Sequence, residues 1–212
     1  MTRPRLMLVD DHTILVEAFR KLLEPFYDVV GSVADGRALL EVAPQLVPEV
    51  VVLDIGLPLM NGLEAGIRLK EQMPNVKLVF LTMNDDPDLA VEAMRSGASA
   101  YLLKNSAAEE LLRAIQMALK GNRYVTPLIA KGMEKSFIKN PGATGQAKSL
   151  TPRQREVVQL LAEGKSMKEV ADVLNVKERT VAFHKYRVME KLNLGTSAEL
   201  VQFAIKSKIL VR

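Results

Sequence analysis

Three carboxylates, a hydroxyl and an ammonium stand directly after short apolar runs in the first half of the chain. Asp10 and Asp11 follow residues 6–9, Asp54 follows 50–53, Thr82 follows 78–81 and Lys104 follows 100–103. Carboxylates crowded together repel one another and stay ionised only beside a cation. Oxygen ligands of this kind suit a hard divalent ion that keeps some of its waters, most simply Mg²⁺. Lys104 supplies a point charge for a phosphoryl oxygen, and Thr82 offers a hydroxyl donor. A carboxylate is a competent nucleophile towards phosphorus, giving an aspartyl phosphate, and in such a transfer the protein mainly positions groups and stabilises charge. No G-x-x-x-x-G-K-[ST] run occurs, so the phosphoryl group is expected from a donor outside this chain.

The elements that must position these groups are legible around them. Five apolar runs, at 6–9, 29–33, 50–53, 78–81 and 100–103, are rich in Val and Leu and mostly lack polar alternation. Strands covered on both faces have this composition. Between them lie helical patterns, with Ile14, Leu15, Ala18 and Leu22 as one stripe and Leu111, Ile115, Ala118 and Leu119 as another. Pro25, Pro48, Pro74 and Pro87 mark element boundaries. The pattern predicts a doubly wound (βα)5 parallel sheet. Right-handed crossovers then bring every strand's C-terminal end to one edge, where ligands bind. The run at 29–33 ends without a group of comparable chemistry.

The net charge of +4 hides an asymmetry. Residues 1–121 carry 12 Lys and Arg against 17 Asp and Glu, residues 122–148 carry 5 against 1, and residues 149–212 carry 12 against 7. An acidic front and a basic back suggest two domains with different partners, the back one a polyanion. There is no cysteine, which excludes disulfides and thiolate metal sites. The apolar start at 6–9 is too short for a signal peptide, and no apolar run approaches the roughly 20 residues of a membrane span, so a soluble, cytoplasmic protein is expected.

Residues 122–148 read as a linker with a short helix after Thr126–Pro127, faced by Leu128, Ile129, Met133 and Phe137. Lys131, Lys135 and Lys139 form a solvated basic stripe, and a flexible polar run begins at Asn140. Residues 149–212 are helical almost throughout. Thr151–Pro152 starts one helix and Gly164 stops it. Two helices then flank Asn175–Val176, with Val170, Leu174, Val176, Val181, Val188 and Leu192 spaced as an inward face. A last helix spans Ser197–Lys206. Two helices joined by a tight turn suit a helix-turn-helix. Ala182, Phe183, Lys185, Tyr186 and Arg187 fall mostly on the outer side of the second helix, where rings and cations suit a DNA major groove. His184 is expected to face the core.

Residues 5–120 resemble the receiver domain of two-component response regulators, in VDDH at 9–12, LDIGLPLMNG at 53–62, LT at 81–82 and AYLLK at 100–104. The resemblance implies that Asp54 is the phosphoacceptor. It further implies that Asp11, Asp54 and the Gly56 carbonyl bind Mg²⁺ with help from Asp10, that Lys104 pairs with the phosphoryl group, and that Thr82 and Tyr101 form a switch in which the ring moves inward. Residues 149–212 resemble the LuxR-type helix-turn-helix in LTPRQREV at 150–157, LLAEGKS at 160–166, KEVA at 168–171, RTV at 179–181, His184 and EKL at 190–192. Together the two are similar to NarL/FixJ-type regulators: a receiver at 1–121, a linker at 122–148 and a small all-α DNA-binding domain at 149–212. What this implies is a partner histidine kinase, double-stranded DNA and a homodimer on DNA, with no membrane partner. The implied DNA contacts fall on Lys177, Arg179, Thr180, Ala182, Phe183, Lys185, Tyr186 and Arg187. The chain departs from the family pattern at Gly56, where a larger side chain is common. It also departs at Met167, at Lys177 in place of a Ser cap, at Ala182 in place of a DNA-touching Lys, and at Arg187 in place of Asn. A Mg²⁺-dependent phosphatase using Asp54, and a receiver acting through protein contacts alone, are the other readings these residues leave open.

Overall fold

The computed structural model describes residues 2–106, 108–139 and 150–210, with the side chains of 134–139 excepted. Strands β1 (Arg5–Val9), β2 (Asp28–Val33), β3 (Val50–Leu53), β4 (Lys77–Thr82) and β5 (Ala100–Leu103) coincide with the five apolar runs to within a residue at either end. They alternate with α1 (Thr13–Leu23), α2 (Gly36–Leu46), α3 (Gly62–Gln72), α4 (Pro87–Arg95) and α5 (Ala108–Leu119). A sixth strand, β6 (Tyr124–Val125), pairs with β5, and the parallel sheet runs β2-β1-β3-β4-β5-β6. Helix α6 (Pro127–Lys139) follows. The chain divides into two compact units, one holding β1 to α6 and the other the helices of the C-terminal segment.

The side chains of β1 alternate between the faces of the sheet although all its apolar positions are buried. Leu6 and Leu8 join Val50, Val52, Val79, Leu81, Ala100 and Leu102 on the face that packs on Val16 and Leu23 of α1 and Leu111, Ala114, Ile115 and Ala118 of α5. The α5 stripe is thus the expected one. The α1 stripe holds only in part: Leu22 packs inward as expected and Leu15 is half-buried, but Ile14 is 85% exposed, Ala18 is also exposed, and Val16, Phe19 and Leu23 complete the inward face. Both sets fit a 3.6-residue period, and the orientation is chosen by the sheet. On the opposite face Gly66 of α3 lets the helix close on Phe80, Leu78 and Leu53.

The stretch read as a linker contributes more than a helix. Tyr124 and Val125 take register with Ala100 and Tyr101, and the Thr126 amide donates to the Tyr101 carbonyl at 3.1 Å. The Tyr124 and Thr126 hydroxyls both donate to Glu110 of α5, at 3.1 and 2.8 Å. Ile129 is buried, and Gly132 closes directly on Pro87, the first residue of α4, where any Cβ would collide. Phe137, Lys135 and Lys139 of the expected apolar face and basic stripe, and the polar run from Asn140, lie outside the described side chains and residues.

In the second unit, α7 (Pro152–Ala162), α8 (Met167–Leu174), α9 (Glu178–Leu192) and α10 (Ser197–Lys206) follow the expected order. Thr151 with Gln154, Ser166 with Glu169 and Thr196 with Glu199 form capping boxes, each worth about 1 kcal/mol for its N-cap residue. Asn175 takes the left-handed conformation, φ 51°, and makes the turn between α8 and α9. Val181 and Val188 of α9 are fully buried, one against Val157, Leu160, Val170 and Leu174, the other against Val158, Leu200, Phe203 and Ala204. One helix therefore spans two apolar clusters, which fixes which of its sides is left outside.

Candidate functional site

The sheet ladder runs one residue past the strands and sets the polar groups side by side. The Asp10 amide donates to the Val33 carbonyl at 3.1 Å, the Asp54 amide to Val9 at 2.9 Å and the Lys104 amide to Thr82 at 2.8 Å. Asp10, Asp54, Thr82 and Lys104 are thereby held at one edge by backbone geometry before their side chains interact.

The side chains converge. Lys104 Nζ lies 2.7 Å from Asp10 Oδ2 and 2.8 Å from Asp54 Oδ2, and its side chain is only 2% exposed. The Ile55 amide donates to Asp54 Oδ1 at 2.7 Å. Burial pushes the Asp54 carboxyl above its ordinary value, against the hydrogen bond and charge of Lys104, with Asp10 raising it further and the Gly56 amide lowering it. Lys104 is moved down by burial but up by Asp10 and Asp54, and ends raised, so it is charged at neutral pH. One ammonium thus faces two buried carboxylates, and the site retains negative charge for a cation.

Asp11 and His12 complete the cluster. His12 Nδ1 lies 2.9 Å from Asp11 Oδ1 and 3.0 Å from Asp10 Oδ1, and one ligand atom from each of Asp10, Asp11, His12 and Asp54 falls within 4.8 Å of the others. Three carboxylates at this spacing fit a hard divalent ion. His12 was not singled out from the sequence; its closeness to both aspartates depends on the turn after β1, which carries no pattern of its own. Gly62 was likewise missed as a pocket residue: a Cβ there would collide with the Asp54 carbonyl, so only glycine lets α3 start against the loop that follows β3.

Thr82 and Tyr101 are linked through the loop after β4. Thr82 Oγ1 accepts from the Asn84 amide at 3.2 Å, and the Tyr101 hydroxyl donates to the Asn84 carbonyl at 2.9 Å. Asn84 Oδ1 accepts from the Asp86 amide at 2.9 Å, and Asp86 caps α4. Tyr101 is 0% exposed. In this structure the ring lies inside, where its hydroxyl finds a backbone acceptor. Burial, with the carboxylates of Asp86, Asp85 and Asp54, pushes its hydroxyl well up, so it stays a donor.

On α9, Phe183 and Tyr186 are 57% and 58% exposed, and Arg179 and Arg187 are exposed with them. Ala182, Thr180 and Lys185 are half-buried. Lys177 precedes the helix and is exposed, giving no side-chain cap. Lys185 Nζ donates to Ser197 Oγ at 2.9 Å, and Arg187 Cζ sits 5.6 Å from the Phe183 ring centre. His184 is half-buried, and burial with the nearby charge of Arg153 lowers its pKa.

Residues 6–116 match the response regulator receiver domain, and residues 148–204 match the bacterial regulatory proteins of the luxR family. The oxygen regulatory protein NreC of Staphylococcus carnosus (strain TM300) is 32% identical over 214 residues, covering 97% of this chain and 99% of that one. The chain is a response regulator of the NarL/FixJ type. Its two domains belong to a regulator of transcription under phosphorylation control, in the two-component class, rather than to a dedicated enzyme. Among solved structures, this response regulator is similar to one of the LuxR family from Aurantimonas sp. SI85-9A1, with a TM-score of 0.62, 34% identity and coverage of 65% of this chain and 99% of that one. It is also similar over its full length to the RcsB response regulator of Salmonella typhimurium, with a TM-score of 0.65, 26% identity and both chains fully covered. RcsB is further known as a DNA complex, which this response regulator matches over 95% of its chain at a TM-score of 0.60 and 26% identity. Among the described residues no helix is long and apolar enough to cross a membrane.

Proposed function

We propose that Asp54 accepts a phosphoryl group from a partner histidine kinase and that this modification controls binding of α9 to double-stranded DNA. The observation that carries the reading is the bridge from Lys104 to Asp10 and Asp54 at one sheet edge. An Asp54 carboxylate oxygen attacks phosphorus, the new O–P bond forms as the donor's P–N bond breaks, and the electron pair leaves with the donor's ring nitrogen. Asp10, Asp11, Asp54 and the Gly56 carbonyl would hold Mg²⁺, which neutralises phosphoryl charge when bound. Lys104 moves from carboxylate to phosphoryl oxygen as a point charge. The amide of Ile55 orients the attacking carboxylate by its bond to Oδ1. Water entering the same pocket later hydrolyses the acyl phosphate and resets it.

The added phosphate brings about 1.5 to 2 negative charges. The Thr82 hydroxyl, which accepts from the Asn84 amide, donates its proton to a phosphoryl oxygen, and the turn of its side chain towards the phosphate loosens the loop that Tyr101 and Asp86 tie to α4. The receiver then favours a homodimer, and two copies of α9 reach adjacent half-sites in the cytoplasm. Lys177, Arg179, Thr180, Ala182, Phe183, Lys185, Tyr186 and Arg187 form the contact face. The reading is tested by labelling with acetyl phosphate: the wild-type chain takes up phosphate in Mg²⁺, and Asp54→Asn takes up none. Undiminished labelling of Asp54→Asn rejects the site.

A further inference from the structure

Exposed rings on a helix lose contact with apolar neighbours, and α9 carries two of them. Each has a cation over its face. Arg187 lies 5.6 Å from the centre of Phe183, one helical turn along, and Lys185 lies 5.6 Å from the centre of Tyr186. The two pairs are not equivalent. Lys185 is half-buried and its ammonium is drawn towards α10 by Ser197 Oγ. Arg187 is exposed and paired only loosely with Glu190, at 4.0 Å. A guanidinium resting its face on a ring keeps its in-plane N–H edge for other acceptors. Ala182 has no hydrogen-bonding side chain at all.

Resting on the DNA-binding reading, we infer that Phe183 and Arg187 act as one unit that reads a thymine beside a guanine in the major groove. The chemistry follows from the two side chains. An apolar ring contacts the 5-methyl group of thymine, while arginine donates in pairs to guanine O6 and N7. Neighbouring base pairs rise by about 3.4 Å, so two groups this close, 5.6 Å from guanidinium carbon to ring centre, address adjacent steps rather than distant ones. Phe183 also stands edge-on to His184, ring centres 5.5 Å apart at 71°, which limits the tilts the ring can take. Stacking lowers the number of poses Arg187 must give up on binding. Phe183 is therefore a positioning residue for Arg187 as well as a contact to thymine.

The test uses the full chain, phosphorylated with acetyl phosphate in Mg²⁺. Sites are first selected from a random-sequence duplex library, then resynthesised with deoxyuridine for thymine, which removes only the methyl group, or with 7-deazaguanine, which removes N7. The expected result is an enriched thymine–guanine step, about fourfold weaker binding with deoxyuridine and about tenfold weaker binding with 7-deazaguanine. Phe183→Ala abolishes the deoxyuridine effect. Phe183→Leu keeps it and shrinks the 7-deazaguanine effect, because Leu touches the methyl group and cannot hold the guanidinium. Equal binding of thymine and deoxyuridine duplexes by the wild-type chain overturns the inference while leaving DNA binding intact. Failure to retain any duplex from the library overturns both.

Discussion

The receiver pocket and the outer face of α9 both hold cations close to partners, but the partners differ. In the pocket, Lys104 is 2% exposed and its counter-charges are carboxylates exposed by 8% and 6%. On α9, Arg187 and Lys185 lie over rings that are themselves more than half exposed. A buried charge that loses its partner cannot recover solvation, whereas an exposed one returns to water. The pocket is thus held together by its own electrostatics and is poised for a change in charge. The α9 face is nearly neutral for folding, so its exposed side chains can be exchanged without loss of the domain.

The largest break in this contrast comes from Lys104→Met. It leaves Asp10 and Asp54 buried without the ammonium between them, and destabilises the receiver by about 3 to 5 kcal/mol in chelator, measured by urea unfolding. Added Mg²⁺ recovers part of the loss, because it binds only the folded site. Phe183→Ala or Lys185→Met changes stability by less than about 0.5 kcal/mol. A small effect of Lys104→Met would mean that the pocket is open to water and the contrast fails.

A smaller and opposite effect is expected at Asp54. Its folded pKa is raised above the unfolded value, chiefly by burial. The folded chain therefore holds this proton more tightly, and Asp54 withdraws stability as pH rises through the raised pKa. Asp54→Asn removes that withdrawal. In chelator the variant should melt above the wild-type chain by a few degrees, and the difference should widen as pH rises through and above the ordinary carboxylate range. A difference that narrows with rising pH would show that Lys104 outweighs burial.

Much of this was legible in the chain. Buried strands announce themselves by unbroken Val and Leu, so 50–53 and 100–103 were recognisable to the residue, and Thr151–Pro152 marked a helix start that capping geometry bears out. β6 was not legible, because Tyr124 and Val125 are too few to carry a period and pair only through an edge that β5 offers. The α1 stripe was read only partly right, with Leu22 inside but Val16, Phe19 and Leu23 missed, since two overlapping apolar sets shared the same spacing. The bond from Lys185 to Ser197 crosses helices and has no local signal. That Asp10, Asp54 and Lys104 meet was readable from the rule that parallel strands end together, whereas His12 was not; that Tyr101 lies inside in this structure depends on a single carbonyl, that of Asn84.

The most direct measurement traps the modified residue. The chain is phosphorylated with acetyl phosphate in Mg²⁺, reduced with borohydride so that an aspartyl phosphate becomes homoserine, and sequenced. Homoserine at position 54 alone is the predicted result. Homoserine at position 10 or 11, or a phosphate that survives reduction on a hydroxyl or imidazole, would contradict the account.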